Sequence, residues 1–197
     1  RVYDDMHPTK YLPAMEVAAE VGARAVLSSI WTPKREYAIE KFGQICDLAR
    51  QFGMTVDLEY VPIASVNNLA GAVDVLRTAN RSNAGLMIDV HHMHRALDKP
   101  EALAGLPKEW FHFAHLCDAQ GEIPTDRAEM TRILREERLY VGEGGVPVAE
   151  ILNTLPKMVY SIELPHLARA KEFGYAEHAF RCIESAKAYM AQKLVHK

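Results

Sequence analysis

AGLMIDVHHMH, residues 84–94, is an apolar run of strand length that ends on one acid and then meets three histidines. Side-chain alternation puts Leu86 and Ile88 on one face and Asp89 on the other. A run this apolar suits a strand covered on both faces, as in a parallel sheet. The flanking sequence repeats the pattern. Upstream, PAMEVAAEVG (13–22) reads as the end of a helix stopped by Gly22, ARAVLSSIW (23–31) as a strand, and EYAIEKFGQICDLARQFG (36–53) as a helix ending at Gly53. TVDLEYVP (55–62) is a strand closed by proline, and NLAGAVDVLRTAN (68–80) is helical. Downstream come a short helix in PEALAGL (100–106), a strand in WFHFAHLCDA (110–119) and a polar, partly helical connection at 126–139. VPVAEILNTLP (146–156) is helical, MVYSIELP (158–165) is a strand, and 172–194 holds a final long helix.

Five strands alternating with helices imply βα units and a parallel sheet. An open doubly wound sheet and a (β/α)8 barrel both meet that description. No GxGxxG or GxxxxGK[ST] follows any strand, so the open nucleotide-binding sheet lacks its usual signature.

Composition narrows the function. The chain has 197 residues, 49% hydrophobic and 25% charged, with formal net charge −3 and pI about 6.3. That balance speaks against a nucleic-acid partner, which calls for a basic face. No window approaches the roughly 18 apolar residues of a membrane span. The opening RVYDDMHPTK has no apolar core of a signal peptide. Cys46, Cys117 and Cys182 are widely spaced and odd in number, which fits a reduced, cytoplasmic setting without a CxxC site.

The polar residues on the strands carry the chemistry. On TVDLEYV, Asp57 and Glu59 share a face; on AGLMIDV, Asp89 faces away from Leu86 and Ile88. On FHFAHLC, His115 shares a face with Phe113 and Cys117, and on VYSIEL, Glu163 pairs with Ser161. Taken singly, Glu59 reads as a surface charge, Asp89 as a turn cap and His115 as a hydrogen-bonded core residue. Taken together, Glu59, Asp89, His115 and Glu163 lie near the C-terminal ends of four strands, in phase, where barrel enzymes build their sites. Three neighbouring buried carboxylates repel and are costly. A divalent cation resolves both problems. The oxygen-rich set suits Mn²⁺ best, with Mg²⁺, Co²⁺, Zn²⁺ or Fe²⁺ as other candidates.

DLEYV, MIDVHHMH, FAHLCD and YSIELP resemble, in order and spacing, the xylose-isomerase-like (β/α)8 TIM barrel family. The resemblance is to its sugar phosphate isomerase/epimerase group, with ketose 3-epimerases, inosose dehydratases and dehydroshikimate dehydratases. It covers nearly the whole chain, including YVGEGGVP (140–147). It implies metal ligands at Glu59, Asp89, His115 and Glu163, with Glu59 and Glu163 as the acid/base pair. His92 falls on the family histidine that contacts substrate oxygens. The arginine that some ketose epimerases carry six residues past the ligand histidine is Gly121 here. The family has eight strands. This chain is therefore expected to be one barrel domain over 1–197 that holds about the C-terminal five βα units and lacks the first three. The resemblance also allows a homo-oligomer.

A Lewis-acidic metal on a carbonyl and its neighbouring hydroxyl stabilises the enediolate left when the adjacent carbon loses a proton. Return of that proton on the opposite face is epimerisation, and return to the next carbon is isomerisation. Loss of a β-hydroxyl instead is dehydration. The expected function is a metal-dependent isomerase or epimerase of a sugar, sugar phosphate or cyclitol. The alternative is a dehydratase of the inosose or dehydroshikimate type. A phosphodiesterase like the apurinic endonucleases is less favoured, because the pI is acidic and one histidine stands among the four ligands. A barrel without chemistry is disfavoured by intact Glu59 and Glu163. Of the remaining residues, His91 and His94 read as loop residues near the mouth, and Cys117 as a buried thiol. His166 and Arg169 are candidates for an anionic substrate group or for the surface. Arg138 precedes the GEGG loop and Glu143 lies in it; the loop's N–H groups give a weak phosphate signal.

Overall fold

The computed structural model describes residues 1–195. The chain forms two compact units. The first holds Arg1–Met87 and Glu109–His112; the second holds Ile88–Lys108 and the chain from Phe113 onward.

In the first unit, a 3-10 turn (Pro8–Tyr11) leads into α1 (Leu12–Glu20), and Gly22 follows at φ +78. Proline in the first turn and a left-handed glycine past the last are ordinary helix punctuation. Next come β1 (Ala25–Ser28) and α2 (Arg35–Arg50), which buries Ala38, Ile39, Phe42, Ile45, Cys46 and Ala49 in one stripe at helical spacing. β2 (Thr55–Glu59) and α3 (Leu69–Ala79) follow. Asn68 caps α3 by accepting from the Gly71 N–H at 2.9 Å. β1 runs parallel to β2, from Ala25 opposite Thr55 to Ser28 opposite Leu58. β2 runs parallel to the start of β3 (Ala84–Asp89), ending with Glu59 opposite Met87.

Asp57, fully buried, accepts a hydrogen bond from the Thr55 hydroxyl at 2.7 Å and faces His112 Nδ1 at 2.6 Å. Thr55, Asp57 and Glu59 share the strand face that alternation assigns them. Gly85 makes room for the pair: a Cβ there would collide with the Asp57 carboxylate and the His112 ring.

In the second unit, the end of β3 pairs in parallel with β4 (Phe113–Leu116), Asp89 opposite His115. β4 pairs in parallel with β5 (Val159–Ile162). The helices are α4 (Val90–Arg95), α5 (Arg127–Glu136), α6 (Val148–Thr154), α7 (Leu167–Phe173) and α8 (Tyr175–Lys193). The five expected strands are all present, and every ladder is parallel.

Three segments differ from their sequence reading. The histidine stretch expected in a loop is α4. The strand read at 110–119 is only Phe113–Leu116, because Lys108–Trp110 turns as a 3-10 helix. A separate short helix, α7, precedes the final one, with His166 as its N-cap toward the Arg169 N–H at 3.4 Å.

Candidate metal centre

Asp89 ends β3 and also starts α4. Its Oδ1 accepts from the backbone N–H groups of His91 (2.8 Å) and His92 (3.1 Å). Asp89 is thus the turn cap that its place at the strand end allowed, and the cap uses Oδ1. The second oxygen, Oδ2, meets Arg138 Nη1 at 2.7 Å and lies 3.8 Å from both His92 Nε2 and His115 Nδ1. His115 is fixed by its register opposite Asp89 and Ser161. Glu163 follows β5 directly, its N–H bonded to Leu116 O at 3.1 Å. Its Oε2 lies 3.3 Å from His115 Nδ1, and its side chain is 43% exposed. Asp89 and His115 are buried, so Glu163 offers the face open to a small molecule.

The ligand atoms of Asp89, His115 and Glu163 all lie within 4.8 Å of one another. Ligands about 2.1 Å from one cation stand roughly 3–4 Å apart. Two carboxylates and an imidazole at this spacing fit a divalent ion. Within the second unit, Asp89, His115 and Glu163 come together. Glu59, the last residue of β2 in the first unit, is 8% exposed and stands opposite Met87.

Arg138, read from the sequence only as a neighbour of the GEGG loop, meets both acids. It is 1% exposed, and its Nη2 reaches Glu163 Oε2 at 3.0 Å while its Nη1 holds Asp89. Nε donates to Leu134 O (3.0 Å), and Nη1 also donates to Glu163 O (3.1 Å) and lies 3.5 Å from Cys117 Sγ. Its backbone is pinned too: Arg138 N donates to Pro165 O at 3.1 Å, and Leu139 and Asp118 exchange backbone bonds. A guanidinium beside two acids compensates charge that the sequence reading left wholly to a metal. Its signal was its position, two residues before the YVGEGG stretch.

Electrostatics follow from this packing. Burial would raise the Asp89 carboxyl, but Arg138, then His92 and His91, hold it far below the carboxylate range, so it is anionic. Burial, with Arg138, His92 and Arg95 nearby, pushes His91 well below the ordinary histidine value, so it is neutral. Burial pushes the Cys117 thiol up to about 12 against the pull of Arg138. Cys117 is thus the inert thiol expected.

The histidines of α4 separate by role. His92 places Nε2 3.8 Å from Asp89 Oδ2. His91 is fully buried, with Nδ1 3.4 Å from His92 Nδ1 and Nε2 accepting from Arg95 Nε at 3.5 Å. Arg95 in turn donates to the carbonyls of Gln120 (2.9 Å) and Glu122. His94 Nε2 reaches Gly121 O at 3.0 Å. His91, Arg95 and His94 thus tie α4 to the 120–122 turn. Asp89, His91 and His92 also bring ligand atoms within 4.8 Å, but Arg95 and Arg138 place two positive charges beside His91.

The GEGG loop is not an open anion cradle. Asp118 occupies it from within, accepting from the N–H groups of Ala119 (2.8 Å), Gly142, Gly144 and Val146 (each 3.0 Å). Arg169 is engaged by Glu143 at 2.7 Å and stacks over Tyr140 at 4.2 Å.

A family model described as xylose isomerase-like TIM barrel matches residues 9–186. The inosose isomerase of Bacillus licheniformis is 26% identical over 126 residues, 63% of this chain and 43% of that protein. The chain spans less than half the length of the curated relatives it matches. Among solved structures, the IOLI protein with a bound zinc atom gives a TM-score of 0.81 at 19% identity, covering 95% of this chain and 70% of that one. The "probable 3-DHS dehydratase AsbF" of Bacillus anthracis gives 0.71 at 16% identity, covering 94% and 72%. At these identities the two structures speak to the fold alone.

Proposed function

The chain belongs to the xylose isomerase-like TIM barrel family, and from that premise we propose a divalent-metal-dependent isomerase or epimerase of a sugar, sugar phosphate or cyclitol. The observation that carries the reading is the convergence of Asp89, His115 and Glu163, with ligand atoms within 4.8 Å, at the ends of three successive strands. The family resemblance adds Glu59 as the fourth ligand. The oxygen-rich set favours Mn²⁺, and the zinc of the IOLI protein makes Zn²⁺ the second metal to test. The bound cation supplies Lewis acidity toward a carbonyl and its neighbouring hydroxyl.

The chain's own residues do the rest. Glu163, the most exposed of the set, is the proposed group that takes or returns a proton at the carbon beside the carbonyl, with Glu59 as its counterpart. His92, buried beside Asp89, orients substrate oxygens. Asp89 stays ionised throughout. The inosose isomerases among the relatives support a cyclitol substrate. A small molecule is the partner this chemistry requires. Three free, buried cysteines support a cytoplasmic location, and no helix among the described residues is long and apolar enough to cross a membrane.

A dehydratase of the inosose or dehydroshikimate type is the second reading, implied by the same family resemblance. It uses the same residues, with a β-hydroxyl leaving in place of proton return. The test is a Mn²⁺- or Zn²⁺-supplemented panel of ketoses, inososes and dehydroshikimate in deuterated water, read by NMR. Deuterium incorporation beside the carbonyl that Glu163→Gln abolishes supports the common first step. The product then separates isomer from dehydrated compound. No exchange with any member, with either metal, speaks against both readings.

A further inference from the structure

We propose that Arg138 is a counter-cation built into the metal centre, one that holds the Asp89 and Glu163 carboxylates in place and limits how tightly a divalent ion binds between them. The inference rests on the metal reading above. Arg138 touches both acids through different nitrogens, Asp89 by Nη1 at 2.7 Å and Glu163 by Nη2 at 3.0 Å. The carboxylate oxygens it holds are the ones that lie nearest His115 Nδ1. It therefore shares its anionic partners with any metal bound there.

Arg138 also has nowhere else to go. It is 1% exposed, and the carbonyls of Leu134 and Glu163 take further N–H groups of the same guanidinium. A buried charge is tolerated only with partners this complete. A dication at Asp89 and Glu163 thus arrives beside a fixed positive charge in a weakly screening interior, where repulsion is strong. The same charge relieves the mutual repulsion of the two acids whenever the ion leaves. The two effects together make an exchangeable metal on a preformed site. Arg138 is a positioning residue in this account, acting through Asp89 and Glu163.

The experiment is a calorimetric titration of Mn²⁺ into metal-stripped wild type, Arg138→Gln and Arg138→Lys, with thermal melts in chelator and in Mn²⁺. Gln removes the charge and keeps donors for the two carbonyls; Lys keeps the charge and loses the fork. The expected result is Mn²⁺ binding at least about tenfold tighter in Arg138→Gln, and within about threefold of wild type in Arg138→Lys. Stability of the Gln variant should depend on Mn²⁺ far more than that of wild type. Binding by the Gln variant alone also supports the inference. Equal or weaker binding in a folded Gln variant overturns it while leaving the metal reading intact. If no protein binds Mn²⁺ or Zn²⁺, the metal reading falls and takes this inference with it. If the Gln variant folds only with Mn²⁺, that supports the counter-cation role. If it folds in neither condition, the Lys variant decides: affinity near wild type supports the role, and a change of about tenfold in either direction overturns it.

Discussion

Changing Asp118 to asparagine alters one atom and should cost the second unit several kcal/mol. The carboxylate is 2% exposed and accepts four backbone N–H groups, two on each oxygen: Ala119 and Val146 on Oδ1, Gly142 and Gly144 on Oδ2. An asparagine keeps one oxygen and turns an NH₂ donor toward the other two N–H groups. Each hydrogen bond to a buried charged acceptor contributes about 1.5–3 kcal/mol, so two losses give about 3–6, reduced to about 3 kcal/mol by loop relaxation. In a domain of this size that lowers Tm by about 6–12 °C. The measurement is urea and thermal unfolding beside limited proteolysis of the 140–146 segment, which should become the first cleavage site. Leu139 pairs its backbone with Asp118, so Arg138 loosens as well, and Mn²⁺ affinity should change with stability. An unfolding free energy within about 1 kcal/mol of wild type, with the loop still resistant, would refute the claim that Asp118 organises this corner.

Two further outcomes follow from the titrating groups. The hydrogen bond to Asp57, against the opposing effect of burial, raises the His112 pKa above 6.5. A raised histidine stabilises the fold fully below its unfolded value and loses that contribution as pH climbs through the folded value. Wild type should therefore exceed His112→Gln in stability more at about pH 5.5 than at about pH 9, by less than about 1 kcal/mol because the ring is partly exposed; a margin that grows with pH would contradict the pairing. Burial pushes Cys46 and Cys117 up to about 12. Neither should react with iodoacetamide near pH 8 until the protein is denatured, as read by mass spectrometry, and rapid native labelling of Cys117 would contradict its burial.

The strands were legible because a parallel strand covered on both faces must be apolar almost throughout. A single acid then stands out, and its parity assigns it a face. That logic singled out Glu59, Asp89, His115 and Glu163 without any contact information. It failed at α4, where six residues with three histidines carry no helical periodicity. What starts that helix is the Asp89 side chain, an interaction that a reading of strand alternation does not examine. It also failed at Arg138. Whether an arginine is buried is decided by acids distant in sequence, and Arg138 reads as the end of a polar connection until Asp89 and Glu163 are seen to meet it. The glycine loop misled for a related reason: its free N–H groups were already claimed by Asp118, some two dozen residues upstream.

The central claim is that Asp89, His115 and Glu163 hold a divalent ion. The direct measurement is anomalous diffraction from crystals of this chain soaked in Mn²⁺. The account predicts one strong anomalous peak contacted by all three side chains, lost in Asp89→Asn. No peak there, or a peak held by His91 and His92 without His115 and Glu163, would contradict it.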